Sequence, residues 1–325
     1  MNNRNGRRAV AALAAFALPL TLAGCGLGQK ETSVDITAGS IDAEALKGVD
    51  VVVGSKDFDE QLVLGQLTIL ALAAAGANTT DKTNIQGSTA TREALLGGDI
   101  DVYWDYTGTG WINYLLHEKP IPDAQEQYEA VRKEDLAKND IVWGEPAPMN
   151  NTYAIAVADE FAKEKDLSTV SDMAELAKSS PDDATICVES EFSARPDGLP
   201  GLQAMYGMDI PSGNIKKFGV GVVYTELDKG ESCNFGEVFT TDGRVATLGL
   251  TVLEDDKAFF PLYNAVPMVM SDTDKANPEI LEVLQSLAEA LTTEEITKLN
   301  ARVSSEGEKP ATVAEDFLRE KGFIE

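Results

Sequence analysis

The chain has 325 residues with 27 basic and 54 acidic side chains, a formal charge of −27, and such a polyanion does not bind nucleic acid by neutralising phosphates. Apolar residues make up 43%, ample for the core of two domains or one large one. One histidine and three cysteines exclude a zinc site of the usual kind, and any Ser-His-Asp or Cys-His triad would have to use His117, which reads as a surface residue at a helix end.

Residues 1–24 carry Arg4, Arg7 and Arg8 and no acid, and an apolar run covers 9–22. Basic then apolar is the order of an export signal, and the run is shorter than the roughly 20 residues that cross a membrane. It ends in LAGC at 22–25, which resembles a bacterial lipoprotein box. That resemblance implies cleavage before Cys25, a lipid on its sulfur and an anchor on the outer face of the plasma membrane, stable with two acyl chains where one would be marginal. Residues 25–47, rich in Gly, Ser, Thr and acids, read as a flexible tether.

The β-branched run at 49–53 predicts a buried strand closed by Gly54 and Ser55. Asp57 or Asp59 caps a helix over 60–75 that Gly76 stops. A second strand ends at 84–87, Ser88 or Thr89 caps a helix halted at Gly97 and Gly98, and a third strand covers 100–104. The TGTG stretch at 107–110 opens a helix reaching about His117. This alternation predicts an α/β domain with a largely parallel sheet. WGEPAP at 143–148 is a Pro-containing connector. A second alternating unit follows, with strands at 153–157, 185–188, 215–218 and 237–240 and helices at 171–178 and 198–206. Residues 248–256 run back to the first unit and its strand at 265–270. In the helical tail Asn277 caps a helix with Pro278 at its first position, and Thr292 with Glu295 and Thr312 with Glu315 form capping boxes. No internal repeat is visible. Cys187 and Cys233 either form one disulfide or remain two free buried thiols.

The chain carries no P-loop, no dinucleotide GxGxxG after a strand and no nucleophile elbow. Acid pairs such as Asp99 with Asp101 and Asp255 with Asp256 read as solvated edges in so acidic a chain. An enzyme, a cofactor and a metal are therefore not expected.

Six segments carry the positive signal: GSKDFDEQ at 54–61, YWDYTGT at 103–109, NNTYA at 150–154, EFSARPDG at 191–198, VFTTDGR at 238–244 and DDKAFFPLY at 255–263. In this order and spacing they closely resemble the binding proteins of glycine betaine/carnitine/choline ABC transporters, from residue 49 to the C-terminus. The resemblance implies an α/β, type II periplasmic-binding-protein fold. Lobe 1 would hold 48–150 with 263–325, lobe 2 would hold 151–262, and two crossing segments would frame a central ligand cleft. It further implies a monomer that closes over a quaternary-ammonium solute and docks on a permease driven by an ATPase subunit.

A trimethylammonium group is fully charged yet has no N–H, so acceptors cannot grip it as they grip lysine. Aromatic faces can, at about 0.5–1 kcal/mol each when exposed and about 2 when dry. The resemblance places such a cage at Tyr106, Tyr153, Phe239 and Tyr263. Where this chain has Phe239 the family more often has Tyr, so the π face remains and a hydroxyl is lost. A ligand carboxylate would meet Arg195 bidentately, helped by Lys56, Thr109 and backbone N–H groups at the helix opened by 107–108, and Asn151 would orient the cage. The plain alternatives are core packing for each ring, pairing of Arg195 with Glu189 or Glu191, and a surface role for Lys56. A polar amino acid or other cation as ligand would need an acid such as Asp105 or Asp242, and a non-transport sensor lipoprotein is a further reading.

Overall fold

The computed structural model describes residues 36–325, so the export signal, Cys25 and the first part of the tether lie outside the described residues. One five-stranded sheet contains β1 (Asp50–Lys56), β2 (Asn78–Ile85), β3 (Val102–Tyr106), β4 (Ile141–Trp143) and β10 (Ala265–Met270), in the order β2-β1-β3-β10-β4. The other contains β5 (Tyr153–Ala158), β6 (Ile186–Glu189), β7 (Ile215–Phe218), β8 (Phe235–Phe239) and β9 (Leu250–Val252), in the order β7-β6-β8-β5-β9.

Each sheet begins with three parallel strands. Its fourth strand has just arrived from the other half of the molecule and is antiparallel to both neighbours. Both sheets are thus mixed rather than largely parallel. A strand entering from the opposite side runs against the crossover direction that local strand–helix–strand units impose. The two halves share this layout without any repeat in sequence.

The two crossing segments run side by side. Asn150 and Asn264 form an antiparallel bridge, Asn151 N–H donates to the Tyr263 carbonyl at 3.1 Å and Tyr263 N–H donates to Asn150 Oδ1 at 2.7 Å. The segment after 248 does not return directly, because β9 first pairs with β5 in the second sheet.

Helix Asp59–Ala74 buries Val63, Leu64, Leu67, Leu70 and Ala71, and a helix apolar on nearly every side must be covered all round. The amphipathic C-terminal helix Pro310–Glu320 supplies one cover with Val313, Ala314, Phe317 and Leu318. Several predicted caps fall elsewhere. Phe58 holds the N-cap of the Asp59–Ala74 helix, while Asp57 accepts from Gly87 N–H and Asp59 pairs with Arg244. Gly87, at φ +81°, precedes the Ser88–Leu96 helix, so neither Ser88 nor Thr89 caps it. Pro278 precedes the Glu279–Ala290 helix, which Asn277 does not cap. Thr292 does accept from Glu295 N–H, whereas Thr312 lies inside a helix that starts at Pro310. Helix Ala124–Asn139 and β4 escape the sequence reading because this helix is polar, burying little beyond Gln127, Tyr128, Val131 and Asp135. Thr107–Thr109 make one helical turn that passes into a π-helical turn, Gly110–Tyr114.

Cys187 and Cys233 are joined by a disulfide with Cα atoms 5.6 Å apart, against Val223 and Phe218. It spans 46 residues of sequence, for which loop-closure entropy predicts about 4 kcal/mol as an upper value. Replacing both cysteines with alanine should lower stability by about 2–4 kcal/mol in urea unfolding, and an unchanged midpoint would contradict the bridge.

Candidate ligand-binding cleft

A cavity of about 1050 Å³ opens between the two sheets at the ends of β1, β3, β5 and β8. Strand pairing builds its floor. Tyr153, the first residue of β5, is the register partner of Phe239, the last of β8, so their side chains leave the sheet together and stack at 5.2 Å between centroids. Tyr263, on the returning crossing segment, meets Tyr153 edge-on at 5.5 Å. Its ring lies against the backbone at Gly108, where a Cβ would come within 2.7 Å of it. The glycine therefore admits an aromatic ring, while the Thr107 N–H is taken by the Asn264 carbonyl.

The predicted cage residues Tyr106, Tyr153, Phe239 and Tyr263 all border this one cavity. A fifth ring, Phe58, joins them by stacking on Phe239 at 5.0 Å and facing Tyr106 at 6.3 Å. Phe58 sits inside the GSKDFDEQ motif, but its place in the ring cluster depends on Phe239 and Tyr106, which are distant in sequence. The Tyr106 hydroxyl donates to Glu60 at 2.7 Å and accepts from Gln61 at 3.1 Å, and that of Tyr263 donates to Asp197 at 2.7 Å. Both therefore offer the cavity a π face. The Tyr153 hydroxyl has no hydrogen-bond partner among the described residues. Burial raises all three phenols well above their usual range and keeps them neutral.

The cavity's buried cations are already engaged. Lys56, 3% exposed, is no surface lysine; its Nζ lies 2.6 Å from Asp105 and 5.2 Å from the Tyr106 centroid. Arg195 holds Asp197 bidentately through Nε at 2.8 Å and Nη2 at 2.6 Å. It also donates to Glu191 at 3.0 Å and to Thr109 at 3.3 Å. Glu189 is not its partner and instead accepts from the N–H groups of Glu191 and Phe192. Burial alone would raise the Asp197 carboxyl, but the charge and hydrogen bonds of Arg195 hold it below the usual carboxylate range. Asp242 is bound to Arg244, so Asp105 and Asp242 both already have cationic partners. Asn151 lines the cavity and donates to Glu60 at 2.8 Å, leaving its Oδ1 unpaired.

Several of these bonds tie the first sheet's side to the second's. Ser88 N–H donates to Glu191 at 3.2 Å, Asn113 to Asp197 at 3.0 Å, Arg244 to Asp59 at 3.0 Å and Thr241 to Glu60 at 2.6 Å. Sequence reasoning did not single out Glu60 or Asp197, although both lie within quoted motifs; their importance comes from partners distant in sequence.

Glu237 of β8, buried beneath Glu189, Glu191 and Arg195, is pushed up to about 8 by burial. Its unfolded value is near 4.5, so the folded chain holds a proton that the unfolded chain has lost. Stability from this group is complete below the unfolded value and is lost as pH rises through the folded one. Glu237→Gln should therefore gain on the wild type between about pH 5 and 8 in chemical unfolding, whereas a pH-independent difference would show an unshifted Glu237.

Comparison with known proteins follows the same lines. Residues 49–320 match the family described as the substrate binding domain of ABC-type glycine betaine transport systems. The chain is 36% identical over 293 residues to a glycine-betaine-binding protein of Pseudomonas aeruginosa, covering 89% of this chain and 91% of that one. A carnitine transport binding protein of Listeria monocytogenes is 31% identical over 244 residues, covering 74% and 77%. Among solved structures, a glycine betaine/carnitine/choline ABC transporter protein superposes with a TM-score of 0.67 at 31% identity, covering 84% of this chain and 99% of the other. A choline binding protein in complex with choline shares the fold at 13% identity with a TM-score of 0.62, covering 84% and 88%. The two-sheet α/β architecture is that of type II periplasmic-binding proteins.

Proposed function

The chain belongs to the family of substrate-binding domains of ABC-type glycine betaine transport systems, and on that premise we propose that it captures a quaternary-ammonium solute in the ring-lined cleft: glycine betaine, choline, carnitine or proline betaine. The observation that carries this reading is the convergence of Phe58, Tyr106, Tyr153, Phe239 and Tyr263 on one cavity. A methylated cation has no proton to donate, and several dry π faces at about 2 kcal/mol each approach the roughly 8 kcal/mol of a micromolar complex.

Phe58, Tyr106 and Tyr263 belong to lobe 1, residues 48–150 with 263–325, while Tyr153 and Phe239 belong to lobe 2, residues 151–262. The paired crossing segments are the hinge. Only the closed form completes the cage, so the solute binds that form better and shifts the population toward it. Lys56, Thr109, Asn151 and Arg195 form the polar wall around the cage. Four of the five Arg195 N–H donors are already used, so a ligand carboxylate can meet it bidentately only by displacing Glu191 or Thr109, and the cationic end carries most of the affinity.

Cys25 is the lipidated residue in this reading and holds the protein at the outer face of the plasma membrane. The closed monomer docks on a permease with an ATPase subunit; it works as a binding protein without cofactor and not as an enzyme. Titration calorimetry of the mature protein with the four solutes should give saturable binding to at least one, and Tyr153→Ala should weaken it by about tenfold or more. Absence of binding to all four would overturn the proposal.

A further inference from the structure

Glu60 stands behind the cage, and the capture of the solute as described makes no use of its charge. It is 3% exposed and has no lysine or arginine partner among the described residues. Its Oε1 accepts from Tyr106 Oη at 2.7 Å and Asn151 Nδ2 at 2.8 Å. Its Oε2 accepts from Thr241 Oγ1 at 2.6 Å and Asn300 Nδ2 at 2.8 Å. The donors come from β3, a crossing segment, the turn after β8 and the helix Thr293–Ser304. Both asparagines turn their NH₂ groups to this one carboxylate and leave their buried carbonyl oxygens unpaired. Two amide NH₂ groups that can only donate, one on each carboxylate oxygen, together with two hydroxyls placed to donate, favour an ionised carboxylate over a carboxylic acid. Burial raises its pKa above the ordinary carboxylate value, and the four hydrogen bonds limit that rise.

We propose that Glu60 is a positioning residue for cation capture, whose buried charge, coupled through the Tyr106 hydroxyl, makes the cleft select a cation over an uncharged molecule of the same shape. A phenol donating to an anion has a more electron-rich ring, and its π face attracts a cation more strongly. The carboxylate also acts directly, since a unit charge in a poorly screened interior is felt across several ångströms. The same bonds fix the orientation of Tyr106 and, through Thr241, draw the second lobe onto the first.

The inference rests on the quaternary-ammonium reading, and its test separates the two. Choline and its uncharged tert-butyl isostere are titrated by calorimetry, the isostere also by displacement of choline, into wild type and Glu60→Gln. The substitution keeps size and polarity and removes the charge. Choline affinity should fall by about tenfold or more, while affinity for the isostere stays within about twofold. Equal weakening of both ligands would show a purely structural Glu60, and unchanged choline affinity would show its charge to be irrelevant; either result overturns the inference. A wild type that binds no quaternary ammonium at all would fail the underlying reading instead. If Glu60→Gln does not fold, Tyr106→Phe severs the ring from the carboxylate while keeping the π face. It should weaken choline severalfold and spare the isostere, and an equal effect on both would again overturn the inference.

Discussion

The antiparallel pairing of the two crossing segments is the constraint on which the cleft depends. Hydrogen bonds between Asn150 and Asn151 on one segment and Tyr263 and Asn264 on the other fix where each chain leaves one sheet and enters the next. Tyr153 and Tyr263 follow directly from that point and are brought edge to face. Because each arriving strand is inserted fourth in its sheet and antiparallel to its neighbours, the strand ends bearing Tyr106 and Phe239 are turned toward the same space. Paired crossings and a ring cluster thus arise from one feature of the chain path.

The cleft combines apolar faces with charges that are already balanced. Lys56 is held by Asp105, and Arg195 by Asp197 and Glu191, so two buried cations avoid standing unpaired in a poorly screened interior, where an isolated charge is costly. Such pairing leaves little free positive charge to oppose an incoming cation. These ion pairs each lie within one half, but hydrogen bonds from their members to Ser88, Thr109 and Asn113 join the two halves.

The motifs around 54–61, 103–109, 150–154, 191–198, 238–244 and 255–263 were legible in the sequence because each is a local run and the six together resemble a known family in order and spacing. Strands such as β1 and β10 were legible too, as short apolar runs bounded by turn residues. The polar helix Ala124–Asn139 was not, since it lacks the apolar stripe from which helices are read. Cap predictions failed at Asp57 and Asp59 for a different reason: these acids bind Gly87 N–H and Arg244, partners that lie close only after folding. Glu60 was invisible as a hub for the same reason, its four donors lying between 46 and 240 residues away.

Composition and short-range periodicity by themselves determined the α/β class, while the resemblance of six motifs to a known family implied the family and the four rings expected to meet. Tertiary structure alone decided the antiparallel fourth strands, the fifth ring at Phe58, the engagement of Arg195 by Asp197, and the carboxylate behind Tyr106. Each of these is a relation between residues far apart in the chain, set by how two sheets share two crossings, and no local pattern records it.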